Sequence, residues 1–171
     1  MKKLIKCAAV FARKAHEGQT RKFTGVPYYT HVEQVAALVA ARTDRPELIA
    51  AAYLHDTMED CGVAYETLAQ LFGHSVADIV HALTNDDVRK KQLGKVHYMI
   101  DKLTAMNSDA LLVKLCDILN NITETQSANQ ARNYTLIING LLSNPPSVWN
   151  KTHAVLAAQI LAAYRENWNQ K

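Results

Sequence analysis

Apolar residues recur at helical spacing along almost the whole chain, and no stretch alternates convincingly with the two-residue period of a strand. Leu4, Ala8, Phe11, Ala12 and Ala15 fall on one face of a first helix. Gly18 to Pro27 reads as a polar, basic loop. A second helix is expected from Thr30, with Glu33 completing a capping box and Val32, Val35, Ala36 and Val39 buried. Asp44 is expected to cap a third helix, which has Pro46 in its first turn and runs through Leu48, Ile49, Ala52 and Tyr53 to His55. Tyr65 to Phe72 is a short helix that Gly73 can stop. Further helices are expected over 75–84, 88–106, 109–124, 130–142 and 147–168, with Pro145-Pro146 as the last break. A chain of 171 residues suits one domain, and no repeat or linker interrupts it. The expectation is a single all-α domain over 1–171.

Charge and cysteine usage narrow the function. The net charge of +3 is too mild to imply nucleic-acid binding, and no Lys/Arg run reads as a basic tail. The opening Lys2-Lys3-Leu4-Ile5-Lys6 mimics a basic signal region, but Arg13, Lys14 and His16 break the apolar run such a signal needs. No stretch approaches the length of a membrane span. Cys7, Cys61 and Cys116 form no CxxC pair, so reduced thiols and a cytoplasmic location are expected.

The segment richest in chemistry is AAAYLHDTMED, Ala50 to Asp60. Three alanines and Leu54 make a helix that can be buried all round. His55 and Asp56 then arrive side by side, with Glu59 and Asp60 one turn later. Residues four apart share a helix face, so His55 is expected to align with Glu59 and Asp56 with Asp60. Four ionisable groups at the end of an apolar helix are costly to bury unless paired or bound to a metal. Two other helices offer related groups. His31 opens an apolar helix just after the loop carrying Arg21 and Lys22, and Asp117 is the lone carboxylate in LLVKLCDILNN. Two imidazoles and two carboxylates suit a divalent cation such as Mn²⁺ or Fe²⁺, and clustered thiolates for structural zinc are lacking. Each residue also has a plainer reading: His31 as a helix-start histidine, Asp117 as a buried acid paired with Lys114. The order His…His-Asp…Asp on three apolar helices is what favours the metal.

That order resembles the signature of the HD phosphohydrolase superfamily. HEGQTRKFTGVPYYTHVEQVA, His16 to Ala36, is similar to the opening of the RelA/SpoT hydrolase domain and of the small alarmone hydrolases, the metazoan SpoT homologues. AAAYLHDTMEDCGVAYETLAQLFGHSVADIVHALTND and VKLCDILNNI resemble that family's HD-x-x-ED and last-ligand segments, and the likeness spans roughly 16–125. The resemblance implies that His31, His55, Asp56 and Asp117 hold one Mn²⁺, with Fe²⁺ or another divalent cation as substitutes. It implies that Glu59 and Asp60 position and deprotonate the attacking water. Arg21 and Lys22 would face the nucleotide, and Asn121 its sugar or base. The implied reaction removes pyrophosphate from the 3′ position of (p)ppGpp, and the length leaves no room for a synthetase, TGS or ACT domain. Two rivals remain: an HD phosphatase acting on a nucleoside monophosphate, NADPH or an adenine alarmone, and a non-catalytic nucleotide-sensing module. The chain departs from the family pattern at Ile118, Thr123 and Glu124, which remove positive charge expected near the 3′ side.

Other residues read as packing. Cys61 and Cys116 flank acidic residues without an evident activating partner. His74, His81, His97 and His153 share no spacing, and Trp149 and Trp168 are expected to pin the last helix. Lys90, Lys91 and Lys95 read as a solvated face or as an extension of an anion funnel.

Overall fold

The computed structural model describes residues 2–168; the chain ends at Met1 and 169–171, included in the single-domain expectation, lie outside the described residues. The chain is helical throughout, and the only strand-like pairing among the described residues is an isolated bridge between Thr20 and Pro27. It divides into two compact units, Met1–Asn85 and Asp86–Lys171.

The first unit holds α1 (Lys2–Ala15), α2 (Tyr29–Ala40), α3 (Pro46–Leu54), α4 (Thr57–Cys61), α5 (Tyr65–Phe72) and α6 (His74–Leu83). α3 is its centre and packs on α1, α2 and α6. Ala50, Ala51, Ala52 and Leu54 are wholly buried, because small side chains on every face let three helices close around one axis. Between α1 and α2 the chain folds back on itself: Arg21 N–H donates to Val26 O at 2.8 Å and Gly25 N–H to Arg21 O at 2.9 Å. The turn returns Tyr28 to Gln19, whose carbonyl accepts the Tyr28 N–H at 2.9 Å.

The second unit holds α7 (Asp87–Leu93), α8 (Lys95–Thr104), α9 (Ser108–Glu124), α10 (Ala128–Ser143) and α11 (Lys151–Trp168). α9 packs on α11 and α10, and α10 packs on α8. Gly140 permits the last contact, since a Cβ there would lie 2.5 Å from Ile100 Cδ1. Leu111, Leu115, Ile118, Ile122, Ile137, Ile138, Leu141, Leu156 and Ile160 form its core, each contributing about 1.5–3 kcal/mol by burial.

Four local expectations are corrected. α2 begins one residue before Thr30, which makes no capping box; its hydroxyl donates to Pro27 O at 2.8 Å instead. Asp44 does not cap α3; Arg45 occupies that position, and its N–H donates to Thr43 Oγ1 at 3.2 Å. The helix expected over 88–106 is two, because Gly94, with φ 76° and ψ 152°, leaves helical space between α7 and α8. Most consequential, α3 stops at Leu54 and α4 begins at Thr57, so the ionisable segment spans a joint and not one continuous helix.

Candidate metal centre

The joint between α3 and α4 is built from local bonds. The Thr57 hydroxyl donates to Leu54 O at 2.7 Å, satisfying a carbonyl that the helix end leaves open. Asp56 sits at φ −100° and ψ −2°, and its carbonyl accepts the Asp60 N–H at 2.8 Å. Gly62, at φ 65°, closes α4 in the left-handed region and donates its N–H to Thr57 O.

Three side chains of the first unit meet at one oxygen. Asp56 Oδ2 lies 3.0 Å from His55 Nε2 and 3.6 Å from His31 Nε2. It also accepts the Tyr28 hydroxyl proton at 2.7 Å. Both histidines are buried, at 1% and 2% exposure for His31 and His55, and their rings meet edge-on at 5.2 Å. His55 Nδ1 is 2.8 Å from Ala52 O. A carbonyl can only accept, so Nδ1 bears a proton, and whenever the ring is neutral its lone pair lies on Nε2. That lone pair faces a carboxylate oxygen. Such an arrangement is attractive only with a proton or a cation at the meeting point, so the donor set fits a divalent cation.

Glu59 does not share a face with His55. Glu59 turns to the end of α6, where its Oε2 accepts the Asn85 N–H and its Oε1 the Asn85 side-chain amide, both at 3.0 Å. Asp60 stays beside Asp56. Partial desolvation first, then the charges of Asp56 and Glu59, raise its pKa from the ordinary value, against a Tyr28 hydrogen bond and His16. Behind α4, Gln19 Nε2 donates to Asp60 O at 3.2 Å, and buried His16 brings Nδ1 to 3.3 Å from Cys61 Sγ. Desolvation and the Asp60 charge raise the Cys61 thiol pKa, which keeps it a thiol and agrees with a packing role.

Arg21 is half-buried, with its guanidinium carbon 5.7 Å from the centre of the Tyr28 ring; Lys22 is exposed and lies over Phe23. In the second unit, Asp117 is 5% exposed on α9. Its Oδ2 is 2.8 Å from Lys114 Nζ, and its Oδ1 accepts from the Asn121 side-chain amide. Sequence reasoning missed Tyr28, His16, Gln19 and Asn85. Tyr28 alone had a local signal, since it stands three residues before His31 in the Pro-Tyr turn.

The described residues thus form an all-α chain that brings His31, His55 and Asp56 together at a helix joint. The HD domain model matches residues 8–137, and the chain belongs to the HD domain family. It is 38% identical over 125 residues to the bifunctional (p)ppGpp synthase/hydrolase SpoT of Escherichia coli K12, covering 70% of this chain and 18% of that protein. It is 35% identical over 127 residues to the guanosine-3′,5′-bis(diphosphate) 3′-pyrophosphohydrolase of Aquifex aeolicus, covering 69% of this chain and 17% of that one. The chain therefore spans under a fifth of the length of these curated relatives. Its fold matches that of a metazoan SpoT ortholog that hydrolyses ppGpp, with TM-score 0.81, 24% identity and 96% of each chain covered. A Listeria monocytogenes protein matches with TM-score 0.60 and 23% identity over 84% of this chain and 99% of the other.

Proposed function

We propose that this chain is a metal-dependent nucleotide phosphohydrolase that removes pyrophosphate from the 3′ position of (p)ppGpp. The observation that carries the reading is the convergence of His31 and His55 Nε2 on Asp56 Oδ2, with Asp60 one turn further along. The likeness to (p)ppGpp hydrolases supplies the substrate class. The family match runs through residues of both units, which supports treating 1–171 as one HD domain.

In this reading His31, His55, Asp56 and Asp117 hold the cation, with Mn²⁺ the first choice and Fe²⁺ the second. A bound divalent cation lowers the pKa of water and polarises a phosphoryl oxygen. Asp60, one turn along from Asp56 with its N–H bonded to the Asp56 carbonyl, accepts the proton of the attacking water. Glu59 orients that water from its fixed place against Asn85. Arg21 and Lys22 offset the site's carboxylates and face the nucleotide, while Asn121 steadies Asp117 and meets the sugar or base. The products are GDP or GTP and pyrophosphate.

The test is a panel of guanosine and adenosine tetraphosphates, NADPH and nucleoside monophosphates, incubated with protein and Mn²⁺ and resolved by anion exchange. Pyrophosphate is assayed with and without added pyrophosphatase. Release of intact pyrophosphate from ppGpp supports the reading. Phosphate release from NADPH or a monophosphate, without cleavage of ppGpp, moves the chain to another HD phosphatase. Nucleotide binding without turnover makes it a sensing module.

A further inference from the structure

Glu59 is gripped at both carboxylate oxygens by one residue, Asn85. α6 ends at Leu83, and Thr84 turns to an extended ψ of 132° with its hydroxyl bonded to Val80 O at 3.0 Å. The next backbone N–H, that of Asn85, is the first released from the helix, and it donates to Glu59 Oε2 while the side-chain Nδ2 donates to Oε1. Two donors, one on each oxygen, restrict both the position and the rotation of a carboxylate. A single donor would leave it free to rotate. Asp86 then caps α7, accepting from the N–H groups of Val88 and Arg89, so the residue after Asn85 is itself anchored.

We propose that Asn85 is a positioning residue for Glu59: it fixes the exposed Glu59 carboxylate against the end of α6, on the same short helix as Asp60, so that Glu59 orients the attacking water. The inference rests on the hydrolase reading above. Asn85 acts through Glu59 and touches neither substrate nor cation. Its removal therefore slows turnover through Glu59 alone.

The test compares Asn85→Ala and Asn85→Asp in wild-type and Glu59→Gln backgrounds, measuring kcat, KM, Mn²⁺ affinity and the urea unfolding midpoint of metal-free protein. Asn85→Ala keeps the backbone donor and should lower kcat about tenfold, as loss of an outer hydrogen-bond partner does, with KM and Mn²⁺ affinity unchanged. Asn85→Asp is nearly isosteric and sets a carboxylate against Glu59, so kcat should fall further. In the Glu59→Gln background neither change should lower kcat again. Equal losses in both backgrounds, an effect confined to KM, or full activity in Asn85→Asp would overturn the proposal. A wild-type protein that cleaves no nucleotide would sink the hydrolase reading and this proposal together. Normal wild-type turnover with no coupling between Asn85 and Glu59 would sink this proposal alone.

Discussion

The Tyr28 hydroxyl donates at 2.7 Å to Asp56 Oδ2, the oxygen that lies 3.0 Å from His55 Nε2. Tyr28 therefore chooses which carboxylate oxygen faces the histidines. Its ring also stacks near His16 at 4.9 Å and His31 at 5.5 Å, so the ring packs the site while the hydroxyl orients it. Tyr28→Phe keeps the packing and removes the orientation. Mn²⁺ affinity should fall about 10-fold or more, the usual effect of losing an outer hydrogen bond to a metal ligand, while the unfolding midpoint of metal-free protein barely moves. Mn²⁺ titration followed by electron paramagnetic resonance checks this, and unchanged affinity would remove Tyr28 from the site.

The pairing of Asp117 with Lys114 is separable from the role proposed for it at the cation. Asp117 neutralises Lys114, which is 9% exposed and 2.8 Å away, and in the proposed reading it also binds the cation. Asp117→Ala leaves a buried ammonium without its carboxylate and should cost about 3–5 kcal/mol in urea unfolding of metal-free protein. Asp117→Asn keeps an oxygen near Lys114 and should cost less. Both should lose bound Mn²⁺ in parallel with activity. Full metal content in Asp117→Asn would leave only the pairing with Lys114.

The helices were legible because burial imposes a local period: α5, α6, α9 and α10 lie where the apolar pattern puts them, while α11 begins at Lys151 and not at 147. His31, His55 and Asp56, which meet in the structure, stood out in the sequence because ionisable residues in apolar helices do. The break at His55-Asp56 was not, since it depends on the Thr57 hydroxyl taking the Leu54 carbonyl, a choice with no periodic trace. Nor were the supporting contacts. Tyr28 with Asp56, Gln19 with Asp60 and Asn85 with Glu59 join residues 28, 41 and 26 positions apart, and only tertiary folding brings such pairs together. Capping at Thr30 and Asp44 failed although the sequence signal was local: the Thr30 hydroxyl donates to Pro27 O, and Arg45 stands at the start of α3 in place of Asp44.

His153 gives a pH prediction in the second unit. It is fully buried on α11, its Nε2 3.1 Å from Ser108 O, and burial lowers its pKa from 6.5 despite that backbone contact. The unfolded chain therefore takes up a proton at higher pH than the folded one. Stability from this residue is complete above pH 6.5 and declines as pH falls from there toward the lower folded pKa. His153→Gln should flatten this part of the pH profile relative to wild type, measured by urea unfolding at a series of pH values. A variant with the same slope as wild type would show that His153 stays neutral in both states or charges equally in both.

The three departures from the family pattern separate by burial. Ile118 is 1% exposed in the core around α9, so Ile118→Lys would bury an ammonium among apolar side chains. It should cost more than about 2 kcal/mol of stability and give no gain in substrate binding. Thr123 is exposed, and Glu124 is half-buried, 3.5 Å from the Asn120 amide. Charge at these two positions can change without disturbing the core. Thr123→Arg and Glu124→Thr move the surface toward the family's more positive pattern. If they lie beside the 3′ phosphates, Thr123→Arg should lower KM for ppGpp about tenfold, the size of one hydrogen bond to a charged group. The gain should shrink as salt is raised from about 0.01 M to about 0.15 M, because screening shortens the reach of an exposed charge. KM for a nucleoside monophosphate should change less, since it carries fewer charges. Equal effects on both substrates would mean that the added arginine acts through the general field of the protein and that residues 123 and 124 do not select the 3′-pyrophosphate.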